Sequence, residues 1–273
     1  MIKPGVHPQF QKNYPAVLAI GGHDPSGGAG ILADAQALLA LKAWPLTLIT
    51  CLTAQNTHQV NSVKAQDPAD FHLQLETLLQ DFRPAAIKIG VTGSLDIQQS
   101  IAELLLRYPD IPVVLDPVIS STSGTGFMNE QQLTHLKEHL LPRSSVITPN
   151  LPELEQLVPG KKNPEDKARE LLRQGCKAVL LTGAHAQSRG IKNQLFTHPS
   201  IPPLISRWKR LPYEYHGSGC TLAAALAGLL ARGESLEKAS TQAQDFTWQS
   251  LEKALKLTEG QHLPLRLREP AHG

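Results

Sequence analysis

The sequence predicts an α/β fold: a central, mostly parallel β-sheet with helices on both faces. Three observations carry this expectation. Short, nearly uninterrupted apolar runs recur along the chain, as strands buried on both faces require. Segments with apolar residues at helical spacing lie between them. Regular alternation of the two is the pattern of parallel strands joined by helical crossovers.

The elements follow in order. A first strand is expected at Ala16–Ile20, running into a glycine-rich turn. Past Gly30, the residues Ile31, Leu32, Ala35, Leu38 and Leu39 repeat at helical spacing. Further strands are expected at Leu46–Thr50, Ala86–Ile89, Val113–Leu115, Val146–Thr148 and Ala178–Leu181. Helical patterns cover Ile101–Arg107 and Leu133–Leu140. Residues 186–213 carry Pro199, Pro202, Pro203 and Pro212, which predicts an irregular or hairpin excursion. Leu222–Leu230 is apolar almost all round and predicts a buried helix ending near Gly233. No repeat or linker breaks the pattern, so one domain is expected over 1–273, with 1–15 as an N-terminal extension.

Composition narrows the function. Hydrophobic residues make up 41% and charged residues 18% of the 273 residues, a globular balance. A net charge of +2 argues against a nucleic-acid binder. The local run Arg207-Trp208-Lys209-Arg210 reads either as a solvated loop or as a lid that meets phosphate. Cys51, Cys176 and Cys220 are odd in number and form no C-x-x-C pair, which disfavours a disulfide framework or zinc site and fits a reducing compartment. Neither a signal peptide nor a membrane-spanning run is seen, so a cytoplasmic protein without membrane partners is expected.

Ligands of open parallel sheets bind beyond the carboxyl ends of the strands. Five of the ten residues Gly21–Gly30 are glycine, which lets a ligand approach the main chain. Gly28-x-Gly30-x-x-Ala33 matches the loose dinucleotide fingerprint, but no acidic residue lies between Asp34 and Asp67 to hold a ribose. P-loop and nucleophile-elbow motifs are absent. His216-Gly217-Ser218-Gly219-Cys220-Thr221 runs directly into the apolar helix. Free N–H groups and the helix dipole make such a start an anion site. A thiol there is expected to have a lowered pKa and to serve as a base; the plainer reading of Cys220 is a small buried residue.

With these residues the chain resembles the hydroxymethylpyrimidine and phosphomethylpyrimidine kinases of thiamine biosynthesis, in the ribokinase superfamily. The resemblance rests on an ordered set: Gly22–Ile31 with Asp34, Ile49–Thr57, Lys88-Ile89-Gly90, Val114–Val118, Ile147–Glu153 and His216–Leu222. It implies a ribokinase-like fold and a transferase that uses ATP and Mg2+, acting as a homodimer. Gln55 is implied to read the aminopyrimidine edge, accepting from the exocyclic amine and donating to a ring nitrogen. Gly22, Asp34 and Val91 are implied as further walls of that pocket. Asp116, Asn150, Glu153 and Thr182 are implied around the nucleotide, with Asp116 and Glu153 toward magnesium. Asn150 and Glu153 also read as a helix capping box. Cys220 is implied as the catalytic residue, with the backbone of Gly217, Ser218 and Gly219 stabilising the transferring group.

The pattern also departs from the family. Thr182-Gly183-Ala184-His185 stands where the family has K-G-G-H, so a hydroxyl replaces a charge near the phosphates. Tyr213-x-Tyr215 precedes the glycine turn in place of polar residues. Two alternatives stay open: a pyridoxal-type kinase, and a pyrimidine-binding protein that has lost turnover.

Overall fold

The computed structural model describes residues 14–120, 124, 126–183 and 190–267. Its strands are β1 (Ala16–His23), β2 (Trp44–Gln55), β3 (Val60–Ala65), β4 (Ala86–Ile89), β5 (Val113–Leu115), β6 (Val146–Ile147), β7 (Val179–Leu181), β8 (Gly190–Phe196) and β9 (Leu204–Lys209). They form one nine-stranded sheet in the order β3-β2-β1-β4-β5-β6-β7-β8-β9. Pairing is parallel from β2 to β7 and antiparallel at both edges, for β3 and for the β8–β9 hairpin.

The helices are α1 (Gly30–Ala40), α2 (Pro68–Asp81), α3 (Leu95–Arg107), α4 (Glu130–His135), α5 (Leu151–Leu157), α6 (Pro164–Arg173), α7 (Ser218–Ala231) and α8 (Leu236–Glu252). They cover both faces. The alternation of β1 shows why: Leu18 and Ile20 point into one core with Phe71, Ile97 and Ile101, while Val17 and Ala19 point into the other with Leu38 and Ala223–Ala227. The alanines of α7 permit close packing. A Cβ at Gly228 would come within 3.1 Å of Leu38 Cδ2, so glycine lets α7 settle on α1.

Several elements extend the sequence reading. β1 and β2 run on past their apolar runs to His23 and Gln55, carrying polar residues over the sheet edge. The helical pattern at Leu133–Leu140 divides into α4 and a π turn at Leu136–Leu140. α2 buries only Phe71 and Leu75, and its start is set by the Asp67 side chain, which accepts from the N–H groups of Ala69 and Asp70. The basic run is neither lid nor loop over most of its length. Arg207–Lys209 form the end of edge strand β9, and their alternation exposes Arg207 and Lys209 while Trp208 faces inward.

Strand order reverses at β1, whose neighbours are β2 and β4. The crevice at such a reversal, beyond the carboxyl ends, is where an open sheet binds ligand.

Candidate active site

A cavity of about 990 Å³ occupies that crevice. One wall is the turn between β1 and α1, and Asp24 organises it. Asp24 Oδ1 accepts from the Ser26 N–H at 2.9 Å, and Oδ2 accepts from the Ala29 N–H at 2.8 Å. His216 Nε2 lies 2.9 Å from the same Oδ2 and so ties the two glycine turns together. Burial would raise the Asp24 carboxyl, but the hydrogen bonds from His216, Ser26 and Ala29 outweigh it and hold it well below the usual carboxylate range. Gly30 has φ +60°, and a Cβ there would lie 2.3 Å from the Gly22 carbonyl oxygen.

Gly22, Gln55 and Val91 all line the cavity, and a Cβ at Gly22 would lie 3.7 Å from Val91 Cβ. Gln55 closes β2 at a register shift against β3, and its side-chain amide has no hydrogen-bond partner among the described residues. Asp34 is not a wall. It is 0% exposed and sits beneath the cavity, with its carboxylate 2.8 Å from Lys88 Nζ. Lys88 is 1% exposed and does line the cavity. Burial would lower its amine, but the negative charges of Asp34 first and Asp116 next outweigh that and hold it above the ordinary lysine value. Burial also pushes the Asp34 carboxyl up and Lys88 pulls it back down; the 2.8 Å contact is that of an ion pair.

The other candidate residues line the same cavity around the start of α7. Gly217 has φ +80°, and a Cβ there would fall 2.0 Å from the Gly28 carbonyl oxygen. It opens α7 with no side-chain cap, leaving the N–H groups of the first turn to a ligand. Asp116 ends β5 and faces that turn, its Oδ2 3.7 Å from where a Gly219 Cβ would be. That oxygen is buried without a hydrogen-bond partner among the described residues. Asn150 and Glu153 form the capping box of α5 in both directions, at 2.9 Å each, and both also line the cavity. Burial first, and the charge on Asp116 second, push the Glu153 carboxyl up; burial likewise pushes Asp116 up. Among the described residues no group of three His, Cys, Asp or Glu is placed to hold a metal.

Cys220 lies in the cavity as expected but not in the expected state. Its thiol is pushed up to about 11, because burial first, with the charges of Asp34 and Asp116, outweighs Lys88 and the hydrogen bond from the Gly30 N–H. At neutral pH it is a thiol, so a thiolate base is not available there. Thr182 lines the cavity, and its N–H and hydroxyl both donate to the Pro149 carbonyl, at 2.9 and 3.4 Å. It brings no charge. Ala184 and His185 lie outside the described residues, and of the basic run only Trp208 lines the cavity.

Three features escaped the sequence reading. Lys88 was visible as a lysine within the buried run Ala86–Ile89, a position that demands a partner. Trp208 and Trp248 stack at 6.4 Å and line the cavity, with Trp208 Nε1 donating to Gln244 Oε1 at 3.0 Å. The segment 254–266 straps across the cavity rim. The Gln261 N–H donates to the Thr57 carbonyl and the His216 N–H to the His262 carbonyl, while the His262 and Tyr213 rings stack at 4.2 Å. No local pattern in the tail announces this.

The comparisons agree with this geometry. A model of the phosphomethylpyrimidine kinase family matches residues 24–266. The hydroxymethylpyrimidine/phosphomethylpyrimidine kinase of Escherichia coli K12 is 37% identical over 253 residues, covering 89% of this chain and 93% of that one. Pyridoxal kinase from Staphylococcus aureus, solved with AMP-PCP and pyridoxal, superposes with a TM-score of 0.82 at 27% identity, covering 93% of each chain. Phosphomethylpyrimidine kinase from Clostridium difficile 630 gives a TM-score of 0.74 at 31% identity, covering 85% of this chain and 97% of the other. The fold is ribokinase-like, and the chain belongs to the phosphomethylpyrimidine kinase family.

Proposed function

We propose that this chain transfers the γ-phosphoryl group of ATP to 4-amino-5-hydroxymethyl-2-methylpyrimidine, to its monophosphate, or to both in turn, as a step of thiamine biosynthesis. The observation that carries the proposal is one cavity lined together by a glutamine amide without a hydrogen-bond partner among the described residues, an uncapped helix start and a buried lysine. Gln55 offers an acceptor and a donor to the aminopyrimidine edge, between Gly22 and Val91. The nucleotide enters from the Trp208–Trp248 end, where a flat aromatic wall suits a base.

In the transfer, the alcohol oxygen bonds to the γ-phosphorus as the bond from phosphorus to the β-bridging oxygen breaks. Charge spreads over the transferring oxygens. The N–H groups of Gly217–Cys220 and the Lys88 ammonium face that charge. The Cys220 thiol orients the alcohol. The alcohol's proton passes to a phosphoryl oxygen once the new bond has formed, which removes the need for a strong base.

Magnesium fits the residues present. Asp116 holds a buried oxygen without a partner among the described residues, and burial first, then the charge of a neighbouring carboxylate, raises both Asp116 and Glu153, which a cation between them would relieve. These two residues would hold the ion, with waters, and Asn150, hydrogen-bonded to Glu153, would border it. When bound, the ion neutralises phosphate charge. We further propose a cytoplasmic homodimer; among the described residues no helix is long and apolar enough to cross a membrane.

A pyridoxal kinase is the second reading, favoured by the superposition on the Staphylococcus aureus enzyme. Coupled ADP release with each alcohol, followed by mass spectrometry of products, separates the readings. A pyrimidine product gaining one or two phosphates supports the proposal. Phosphorylation of pyridoxal alone replaces it with the second reading. A folded chain that binds the pyrimidine without turnover would make it a binding protein, with Thr182 as the cause.

A further inference from the structure

Arg266 is 2% exposed, a guanidinium buried within the tail strap. Burying such a charge is costly unless every donor is used. Its hydrogen bonds all go to neutral oxygens. Nε donates to Thr221 Oγ1 at 2.8 Å, Nη1 to Gln36 Oε1 at 3.0 Å and the Gly27 carbonyl at 3.4 Å, and Nη2 to the Gly28 carbonyl at 2.5 Å. The carboxylates Asp34 and Asp24 act on it from further away.

These partners lie behind both glycine turns. The Gly28 carbonyl that Arg266 holds is the atom on which Gly217 packs, within 2.0 Å of the place a Cβ would take. Thr221 Oγ1 accepts from Arg266 and donates to the Gly217 carbonyl at 2.8 Å. C=O and N–H of a trans peptide point in opposite directions. Holding the Gly217 carbonyl toward the helix therefore turns the Ser218 N–H out of it. Holding the Gly28 carbonyl turns the Ala29 N–H toward Asp24, where it is found.

We propose that Arg266 is a positioning residue for phosphoryl transfer, setting the Gly28 carbonyl directly and the Gly217 carbonyl through Thr221, so that the first N–H groups of α7 face the cavity. It touches no substrate. A planar fork with donors in several directions suits the task, and a lysine's point charge does not. The assignment rests on the kinase reading above for its kinetic consequence, though not for its geometry.

The test compares wild type with Arg266→Ala, Arg266→Lys and Thr221→Val. Misplaced catalytic groups cost about 100-fold in rate, so Arg266→Ala is expected to lose about that in kcat, with KM for either substrate within about threefold. Added guanidinium below denaturing concentration is expected to recover part of the loss, and Arg266→Lys is expected to recover little. Thr221→Val removes the hydroxyl that joins Arg266 Nε to the Gly217 carbonyl and leaves the Thr221 N–H on that carbonyl; it is expected to lose about tenfold in kcat, and this arm decides the matter if Arg266→Ala does not fold. Hydrogen exchange gives a readout independent of turnover: peptides spanning 24–30 and 214–222 exchange faster in the variants while those of β4 and β5 do not. A wild type without turnover defeats the kinase reading but leaves this exchange pattern to decide the role of Arg266. The proposal is overturned if kcat stays within about threefold of wild type, if the whole loss lies in KM, or if exchange rises uniformly.

Discussion

Replacing Asp34 with Asn tests the electrostatic floor of the cavity. The substitution preserves shape and leaves Lys88 at 1% exposure without its counter-charge. Breaking a buried pair costs about 3–5 kcal/mol. A ceiling follows from titration, because the stranded lysine can shed its proton. At pH 7 a lysine of ordinary pKa about 10.4 does so for about 1.4 kcal/mol per unit, or about 4.6 kcal/mol in all. At pH 9 the same ceiling falls to about 2 kcal/mol. In the variant the folded lysine is neutral and the unfolded one protonated. The unfolded state then binds more protons, so stability rises with pH. In wild type, Asp34 and its neighbours raise Lys88 above its unfolded value. Its contribution is full below that unfolded value and is lost only as pH rises through the folded one, so this pair adds no slope between pH 7 and 9. Urea unfolding of both proteins at both pH values is the assay. The expected gap is about 3–5 kcal/mol at pH 7 and at most about 2 kcal/mol at pH 9. A gap below about 1 kcal/mol, or one that does not shrink with pH, would refute the ion-pair reasoning.

Further outcomes follow from the same geometry. Cys220→Ala should lower kcat by about 10–100-fold with little change in pyrimidine KM, and unchanged kcat would remove Cys220 from the transfer step. With the wild-type thiol pushed up to about 11, its alkylation rate, followed by mass spectrometry, should climb about tenfold per pH unit from 7 to 10, whereas a plateau below pH 8 would restore the thiolate base. Gln55→Ala should weaken pyrimidine binding about 10–100-fold by calorimetry, through the loss of two hydrogen bonds; intact affinity would move the pyrimidine elsewhere. Gly217→Ala adds a Cβ at φ +80° within 2.0 Å of a carbonyl and should cut kcat at least 100-fold, as about 1 Å of displacement does; near-normal kcat would show that the turn does not contact the transferring group.

Much of the fold was legible because its strands are buried on both faces. Ala86–Ile89 and Val113–Leu115 were read at their observed bounds. What escaped lies at the edges or in polar helices. β3 buries none of its residues, and α6 hides its apolar stripe among charges. Residues picked out just beyond strand ends or before a helix do line the cavity, as Gln55, Asp116 and the turn before α7 show. The site was illegible where contacts decide. Asp34 was expected to face ligand, but the partner that turns it away is 54 positions along the chain. Cys220 was expected to be acidic from its helix start, and only the assembled site buries it, beside Asp34 and Asp116, so that its thiol is raised instead. Arg266 reaches Gln36 across 230 positions, a distance over which no sequence pattern operates.

The most direct measurement is kcat/KM for the aminopyrimidine alcohol against that for pyridoxal, on the wild-type chain with ATP and magnesium. The unpartnered Gln55 amide predicts a preference for the pyrimidine of at least about 10-fold, the worth of one or two well-placed hydrogen bonds. Equal values, or a preference for pyridoxal, would contradict the assignment of this cavity to an aminopyrimidine.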